Sequence, residues 1–497
     1  MPNIDYTNLV EGIKELDNVI ANSDYKDTWD SINNFMAPKW FNDAKFGIFI
    51  HWGVFSVPAF NNEWYPRSMY IEATPEYQHH IKTYGPHKSF GYKDFIPLYT
   101  MEHFDANEWA AELKNAGAKY IVPVAEHHDG FQMYKSSISL FNAANMGPKK
   151  NLLGDLKNAI ENNGLVFGAS SHRAEHWFFL RHGKLFDSDI KEPLIRGDLY
   201  WPSVTPEPSF QDLHGTPTPS DEYMCDWLLR TAELIDVYKP HILYFDWWIQ
   251  HAAFRPYLKK VLAYYHARAD EYGFEPVICT KHDAVAFGSG IVEIERGKFA
   301  DAKAFKWQTE TPVAKNSWCY TSQNVYKKAS DIVCELVDVV SKNGNMLLNI
   351  GPKSDGTISS EECSILRDIG AWLKTNGECI YGAKVWRTSA EGPTKESEGQ
   401  FQDDEGACYT SEDFRFTCKG DSIYVISLAY PNEGMLKIKA LSKSADPNKP
   451  AFHGIIKTVS ILGSKEKPQW KVTDNSLEVN CKLPATGFPV VVKVQLE

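Results

Sequence analysis

Paired cysteines, long apolar runs and clustered positive charge are all missing from this chain. Its nine cysteines are scattered from Cys225 to Cys481 without a CxxC, which argues against a disulfide scaffold and fits free thiols in a reducing compartment. No stretch approaches the roughly 20 apolar residues of a membrane span. The N-terminus, MPNIDYTNLVEGIKEL, lacks the charged and apolar regions of a signal peptide, so a cytoplasmic location is expected unless a leader has been removed. The formal net charge is −12 and runs of lysine are no longer than pairs such as Lys149–Lys150, which speaks against nucleic acid and anionic membranes as partners. No GxGxxG follows a strand pattern, and neither HxH nor HExxH occurs. A dinucleotide fold and a catalytic metal are therefore not expected, and no cofactor is.

Aromatic residues, in contrast, are plentiful: 15 Trp and 24 Tyr among 497 residues. They serve as core, and they also suit sugar binding, where pyranose C–H faces stack on rings. The length suggests two or three domains. From about residue 35 to 350, apolar runs alternate with helical patterns. Asp105 and Glu108 look like a capping box opening a helix with Trp109 and Leu113 on one face, stopping near Gly117. The run KYIVPVA (119–125) follows. A helix around Leu156, Ala159 and Ile160 precedes LVFGASS (165–171), and one with Leu228, Ala232 and Ile235 precedes HILYF (241–245). Continuous apolar strands after amphipathic helices indicate buried parallel strands with helical crossovers, and several of them favour a (β/α)8 barrel over a doubly wound sheet.

Ser359 and Glu362 signal a further helix carrying Ile365, Leu366, Ile369 and Trp372. Residues 388–406 are polar and read as a linker or long loop. Alternating segments beyond, such as SIYVISLAY (422–430) and PVVVKVQLE (489–497), read as a small antiparallel sandwich. The expected division is a barrel over 1–385 and a β-sandwich over 386–497.

Polar residues cluster just after the predicted strands: His51 and Trp52, His127 to Asp129, His172 and Arg173, Asp246, and the Glu293/Glu295 pair. On a barrel these positions fall on the C-terminal face, where active sites lie. Glycoside hydrolysis needs two carboxyl groups, one as acid and one on the far side of the sugar. Asp246 closes HILYF and precedes TrpTrp, which makes it the candidate nucleophile, although an Asp after a strand also serves as a helix cap. Glu293 and Glu295 sit at alternate strand positions and share a face, so either can supply the acid. A solvated face paired with Arg296 is the alternative. His127 and His128 suit hydrogen bonds to sugar hydroxyls better than chelation, because neighbours on an extended strand point to opposite faces.

Five segments together resemble the α-L-fucosidases of glycoside hydrolase family 29. They are WFNDAKFGIFIHWGVFSVPAFNNEWY (40–65), VAEHHDGF (124–131), ILYFDWW (242–248), KWQTETP…NSWCY (306–320) and GNMLLNIGPKSDGTI (344–358). The resemblance covers most of residues 35–385. It implies a (β/α)8-like barrel, a C-terminal β-sandwich and hydrolysis of terminal α-L-fucosyl residues with retention through a fucosyl-enzyme. It matches Asp246 to the nucleophile, and His51, Glu63, Trp64, His127 and His128 to fucose-binding positions. Glu295 aligns with the acid/base, with Glu293 the runner-up. Phe49, Trp247 and Trp318 are candidates for the apolar pocket of the 6-deoxy methyl. Three positions depart from the family: Tyr244 replaces a Trp, His172 stands in for a Tyr, and Lys281 for a sugar-binding Arg. The implied partner is a fucosylated oligosaccharide or glycoside. A homo-oligomer is compatible with the sequence, which carries no specific signal for one. Two rival readings are a non-catalytic carbohydrate-binding protein on the same scaffold and a metal-dependent barrel hydrolase using His127, His128 and Asp246.

Overall fold

The computed structural model describes residues 4–33, 35–209, 212–403, 408–443, 452–483 and 486–497. Eight parallel strands close in sequence order into a barrel: β1 (Phe46–Ile50), β2 (Tyr120–Glu126), β3 (Val166–Ser171), β4 (Ile242–Phe245), β5 (Val277–Thr280), β6 (Ile291–Glu295), β7 (Trp307–Pro312) and β8 (Gly344–Ile350). The last pairs with the first, Ile48 opposite Leu348. Strands β1, β2, β4, β5, β7 and β8 are buried along their whole length, as a closed parallel barrel covered on both faces requires, although β7 is largely polar. Gly47 is a steric necessity here, since a Cβ would lie 2.2 Å from the Tyr120 ring.

The expected crossover helices form, over Ala106–Asn115, Leu152–Asn162 and Asp221–Tyr238. Asp105 caps the first by accepting from the Asn107 and Glu108 amides. Ser359 caps Ser360–Asn376 through the Glu362 amide. Among the described residues no helix is long and apolar enough to cross a membrane. All nine cysteines are free thiols.

Beyond the barrel lie a five-stranded antiparallel sheet and a three-stranded one. The larger contains β9 (Lys384–Glu391), β10 (Phe414–Lys419), β11 (Ser422–Ser427), β13 (Ile456–Ile461) and β16 (Val490–Leu496). The smaller contains β12 (Met435–Ile438), β14 (Gln469–Val472) and β15 (Leu477–Asn480). Phe414, Phe416, Val425, Leu436, Ile438, Leu477 and Val492 share one apolar cluster between them.

The polar stretch expected as a linker is partly something else. Residues 388–391 complete β9, and Gly399 pairs with Lys298. Asp403 is pinned to the barrel by Arg296 (2.9 Å), Lys327 (2.6 Å) and the Thr311 hydroxyl (2.6 Å). Polar composition there reflects ion pairing rather than a free tether; residues 404–406 lie outside the described set.

Candidate active site

The barrel raises one or two polar side chains at the C-terminal end of each strand. His51 follows β1, His127 and His128 follow β2, His172 follows β3, Asp246 follows β4 and Lys281 follows β5. Glu295 ends β6, Glu310 lies in β7 and Asn349 in β8. One pocket is lined by Phe49, His51, Glu63, Trp64, His127, His128, His172, Tyr244, Asp246, Trp247, Lys281, Glu295, Glu310 and Trp318.

Lys281 is the hub. Its ammonium donates to Asp246 Oδ1 at 2.7 Å and Glu295 Oε2 at 2.8 Å, and lies 2.8 Å from Glu310 Oε1. Two oxygens held at 2.7 and 2.8 Å from one nitrogen are at most the sum of these distances, 5.5 Å, apart. The bridged oxygens thus lie no further apart than the roughly 5–5.5 Å of a retaining glycosidase, short of the roughly 6.5–9.5 Å that leaves room for an inverting enzyme's water.

The two carboxyl groups are driven in opposite directions. Burial pushes the Asp246 pKa up, but Lys281, His172 and His128 override it and hold the group well below the usual carboxylate range. Glu295 is raised to about 7 by burial, with Asp246 and Glu310 adding to the rise and Lys281 opposing it. The result is an ionised carboxyl beside one that titrates near neutrality, the separation that acid and nucleophile roles require. Glu293, the alternative to Glu295, sits one layer deeper on β6 and does not line the pocket. It accepts from Gln308 Nε2 at 2.8 Å, and burial and Glu310 push its pKa well above the usual carboxylate range. Both glutamates face inward as their spacing predicts, but only Glu295 reaches the cavity.

The histidines arrive by different routes. His127 and His128 lie beyond the end of β2, where the extended alternation no longer holds, and both line the pocket. Gly130 makes the turn possible at φ +80°, and a Cβ there would strike the His176 ring at 2.5 Å. His128 Nδ1 is 2.8 Å from the His172 carbonyl, and its Nε2 is 3.4 Å from Asp246 Oδ2. Burial opposes the His128 charge, but Glu175 and Asp246 win and raise its pKa. His51, His127 and His172 are held neutral, burial being the main cause; His51 falls to about 3. Glu63 accepts from the Trp318 amide at 3.0 Å, which ties the loop after β1 to the loop after β7. Tyr244 lies two residues before Asp246 on the same face, its ring 4.9 Å from Phe49 and under the Lys281 ammonium at 5.8 Å.

Three functional-looking residues escaped the sequence reading. Asn349, in GNMLLNIGP, lies 2.7 Å from His51 Nδ1 through Oδ1 and donates to the Trp318 carbonyl at 2.6 Å. A polar residue near the end of an apolar strand was the available signal. Glu310 had the same signal within KWQTETP. Glu175 sits in a 3-10 turn with nothing in its local sequence to mark it.

An eight-stranded barrel whose mouth holds an ionised carboxyl beside one titrating near neutrality, set among aromatic rings and buried histidines, has the architecture of a glycoside-cleaving enzyme. Comparison with known proteins narrows the class. The α-L-fucosidase family model matches residues 13–378, and that of the α-L-fucosidase C-terminal domain matches 408–493. The chain belongs to the α-L-fucosidase family. It is 32% identical to human plasma α-L-fucosidase over 430 residues, covering 82% of this chain and 80% of that one. It is 31% identical to Branchiostoma floridae α-L-fucosidase over 471 residues, 91% and 90% of the two chains. Its structure resembles that of Thermotoga maritima α-fucosidase in complex with fucose, with a TM-score of 0.71 and 30% identity over 95% of this chain and all of the other.

Proposed function

We infer that this chain is a retaining α-L-fucosidase, releasing terminal α-L-fucose from fucosylated glycans or glycosides by double displacement. The observation that carries the reading is the Lys281-bridged pair, Asp246 ionised and Glu295 titrating near neutrality, with their bridged oxygens at most 5.5 Å apart.

In the first step Asp246 attacks the anomeric carbon while Glu295 delivers its proton to the departing oxygen. Esterification removes the Asp246 charge, and with it an influence that raises the Glu295 pKa. Lys281 remains and lowers it. Glu295 is thus left ionised and able to take a proton from water, whose attack on the anomeric carbon expels the Asp246 carboxylate and releases fucose with its configuration retained. No step needs a cofactor. Lys281 keeps both carboxyls in place throughout, which is a positioning role.

The rest of the pocket suits a 6-deoxy sugar. Tyr244 Oη, His127 Nδ1 and both His172 ring nitrogens are buried without hydrogen-bond partners among the described residues, and hydroxyls of a bound sugar would supply them. Glu63, His51 and His128 add further polar contacts, and Phe49, Trp64, Trp247 and Trp318 supply apolar walls. Buried polar groups of this kind discriminate because an ill-fitting sugar leaves them unpaired.

The test is hydrolysis of 4-nitrophenyl α-L-fucoside, with the anomer released followed by proton NMR. The wild type is expected to release the α-anomer first, and Asp246→Gly to lose at least roughly 10⁴-fold in kcat. Initial release of the β-anomer, or near-normal turnover by the variant, would overturn the mechanism.

A further inference from the structure

His51, His127 and His172 bring one ring nitrogen each to within 4.8 Å of one another. Their rings are mutual neighbours, with centroids 5.5 Å (51–127), 5.2 Å (51–172) and 4.9 Å (127–172) apart. All three are buried. His172 has no hydrogen-bond partner on either ring nitrogen among the described residues, and His127 none on Nδ1. Buried imidazoles of this kind are neutral, so each keeps a lone pair. His51 has its Nδ1 2.7 Å from Asn349 Oδ1; with that nitrogen donating to the amide oxygen, Nε2 is left as a bare acceptor. Metal-binding histidines are held in the same way, the far nitrogen donating to a carbonyl or carboxylate oxygen.

We propose that His51, His127 and His172 form a binding site for a zinc-type divalent transition cation, which enters in place of the sugar and inhibits the enzyme. Three neutral imidazoles with an open fourth position make a three-histidine zinc set, completed by water. Zinc–nitrogen bonds of about 2.0–2.1 Å in tetrahedral geometry put nitrogens about 3.4 Å apart, so the cluster must contract from its present span. His172, unpartnered on both nitrogens, is the ring able to turn. His51, clamped by Asn349, is the fixed point. The ionised Asp246 contributes attraction for a cation, against Lys281 and the charged form of His128. His128 is not part of the set, because Glu175 and Asp246 favour its charged form, which has no lone pair. Imidazole ligands select zinc, copper, nickel or cobalt over magnesium and calcium, which prefer oxygen. The cation performs no chemistry here. It occupies the space that sugar hydroxyls would fill.

Binding rests on the histidines alone; only the inhibition rests on the fucosidase reading. The test is calorimetric titration of tag-free, EDTA-stripped full-length protein with ZnCl2, alongside Co2+ as a visible-absorption probe. One Zn2+ per chain is expected, with the intense absorption of four-coordinate Co2+, and both are expected to be lost in excess L-fucose. His172→Phe and His51→Phe, each checked for folding by circular dichroism, are expected to weaken Zn2+ by at least roughly 100-fold. Zn2+ is expected to raise KM for the nitrophenyl fucoside with kcat unchanged, reversibly with EDTA. No stoichiometric binding, or binding unaltered in both folded variants, would overturn the metal site whatever the activity. Intact Zn2+ binding in a chain without fucosidase turnover would uphold the metal site and overturn the function alone.

Discussion

Glu295 titrates near neutrality because burial and the Asp246 charge outweigh the Lys281 ammonium beside it. As the acid of the first step it must be protonated in the free enzyme. The kcat/KM profile is therefore expected to hold on the acid side of pH 7 and to fall by about tenfold per unit above it, as one proton is lost. Asp246 sets the opposite limb, and since its pKa is held well below the usual range, activity is expected to survive into mild acid. Glu295→Gln should lower kcat/KM and abolish the alkaline limb. Glu293→Gln should keep that limb, since Glu293 lies below the pocket and bonds Gln308. An alkaline limb retained in Glu295→Gln and missing in Glu293→Gln would reverse the assignment. The sequence narrowed the acid to these two because alternation puts both on one face. Alternation could not choose between them, and only the family resemblance favoured Glu295, because depth along the barrel axis depends on how far each strand is staggered against its neighbours.

Strand β8 shows how an element, rather than a contact residue, sets the site. Asn349 bonds His51 beyond β1 and the Trp318 carbonyl in the loop after β7, so one amide locks two pocket walls. Losing a buried hydrogen-bonded group costs about 1–3 kcal/mol, so Asn349→Ala is expected to reduce kcat/KM by about tenfold in steady-state assays. On the other side, Asp226 takes Arg230 (2.8 Å), Arg196 (2.8 Å) and Arg173 (3.0 Å), and Arg173 also pairs with Glu126 beneath the β2–β3 seam. Breaking a buried ion pair from one side costs about 3–5 kcal/mol, and Asp226→Asn is expected to lose stability on that scale in urea unfolding. Burial raises the Asp226 pKa, but the three arginines override it and bring it to about 2. The folded value thus lies below the unfolded one of about 3.9, so the stabilisation is present above pH 4 and lost as pH falls towards 2. The variant's deficit should shrink across that window. The helices and strands carrying these groups were legible from periodicity and caps. The pairings were not, since Arg173 and Asp226 are 53 residues apart and only the closed barrel brings them together.

At the scale of the whole molecule, the sandwich is fused to the barrel rather than tethered to it. Tyr424, Ile426, Leu428 and Val491 of the sandwich belong to the same apolar cluster as the barrel core. Trp372, on the last barrel helix, donates to the Pro489 carbonyl at 2.8 Å. Asp338, on the helix Ala329–Ser341, is buried beneath Arg415 of β10 and also takes Lys342 at 2.7 Å. Removing the sandwich would expose those apolar faces and strip Asp338 of one of its cations. Pro- and Gly-rich linkers normally mark parts that unfold separately, with few contacts crossing between them; here both a shared core and a buried ion pair cross. The full chain is expected to unfold in a single calorimetric transition, with calorimetric and van't Hoff enthalpies in agreement. A chain ending at residue 385 is expected to aggregate on expression, although every pocket-lining residue lies before that point. Arg415→Leu should lower the single transition without splitting it, because the damage falls on an interface that both halves need. Two resolved transitions in the wild type, or a soluble and active 1–385 fragment, would show that the barrel stands alone and that its contacts with the sandwich contribute little.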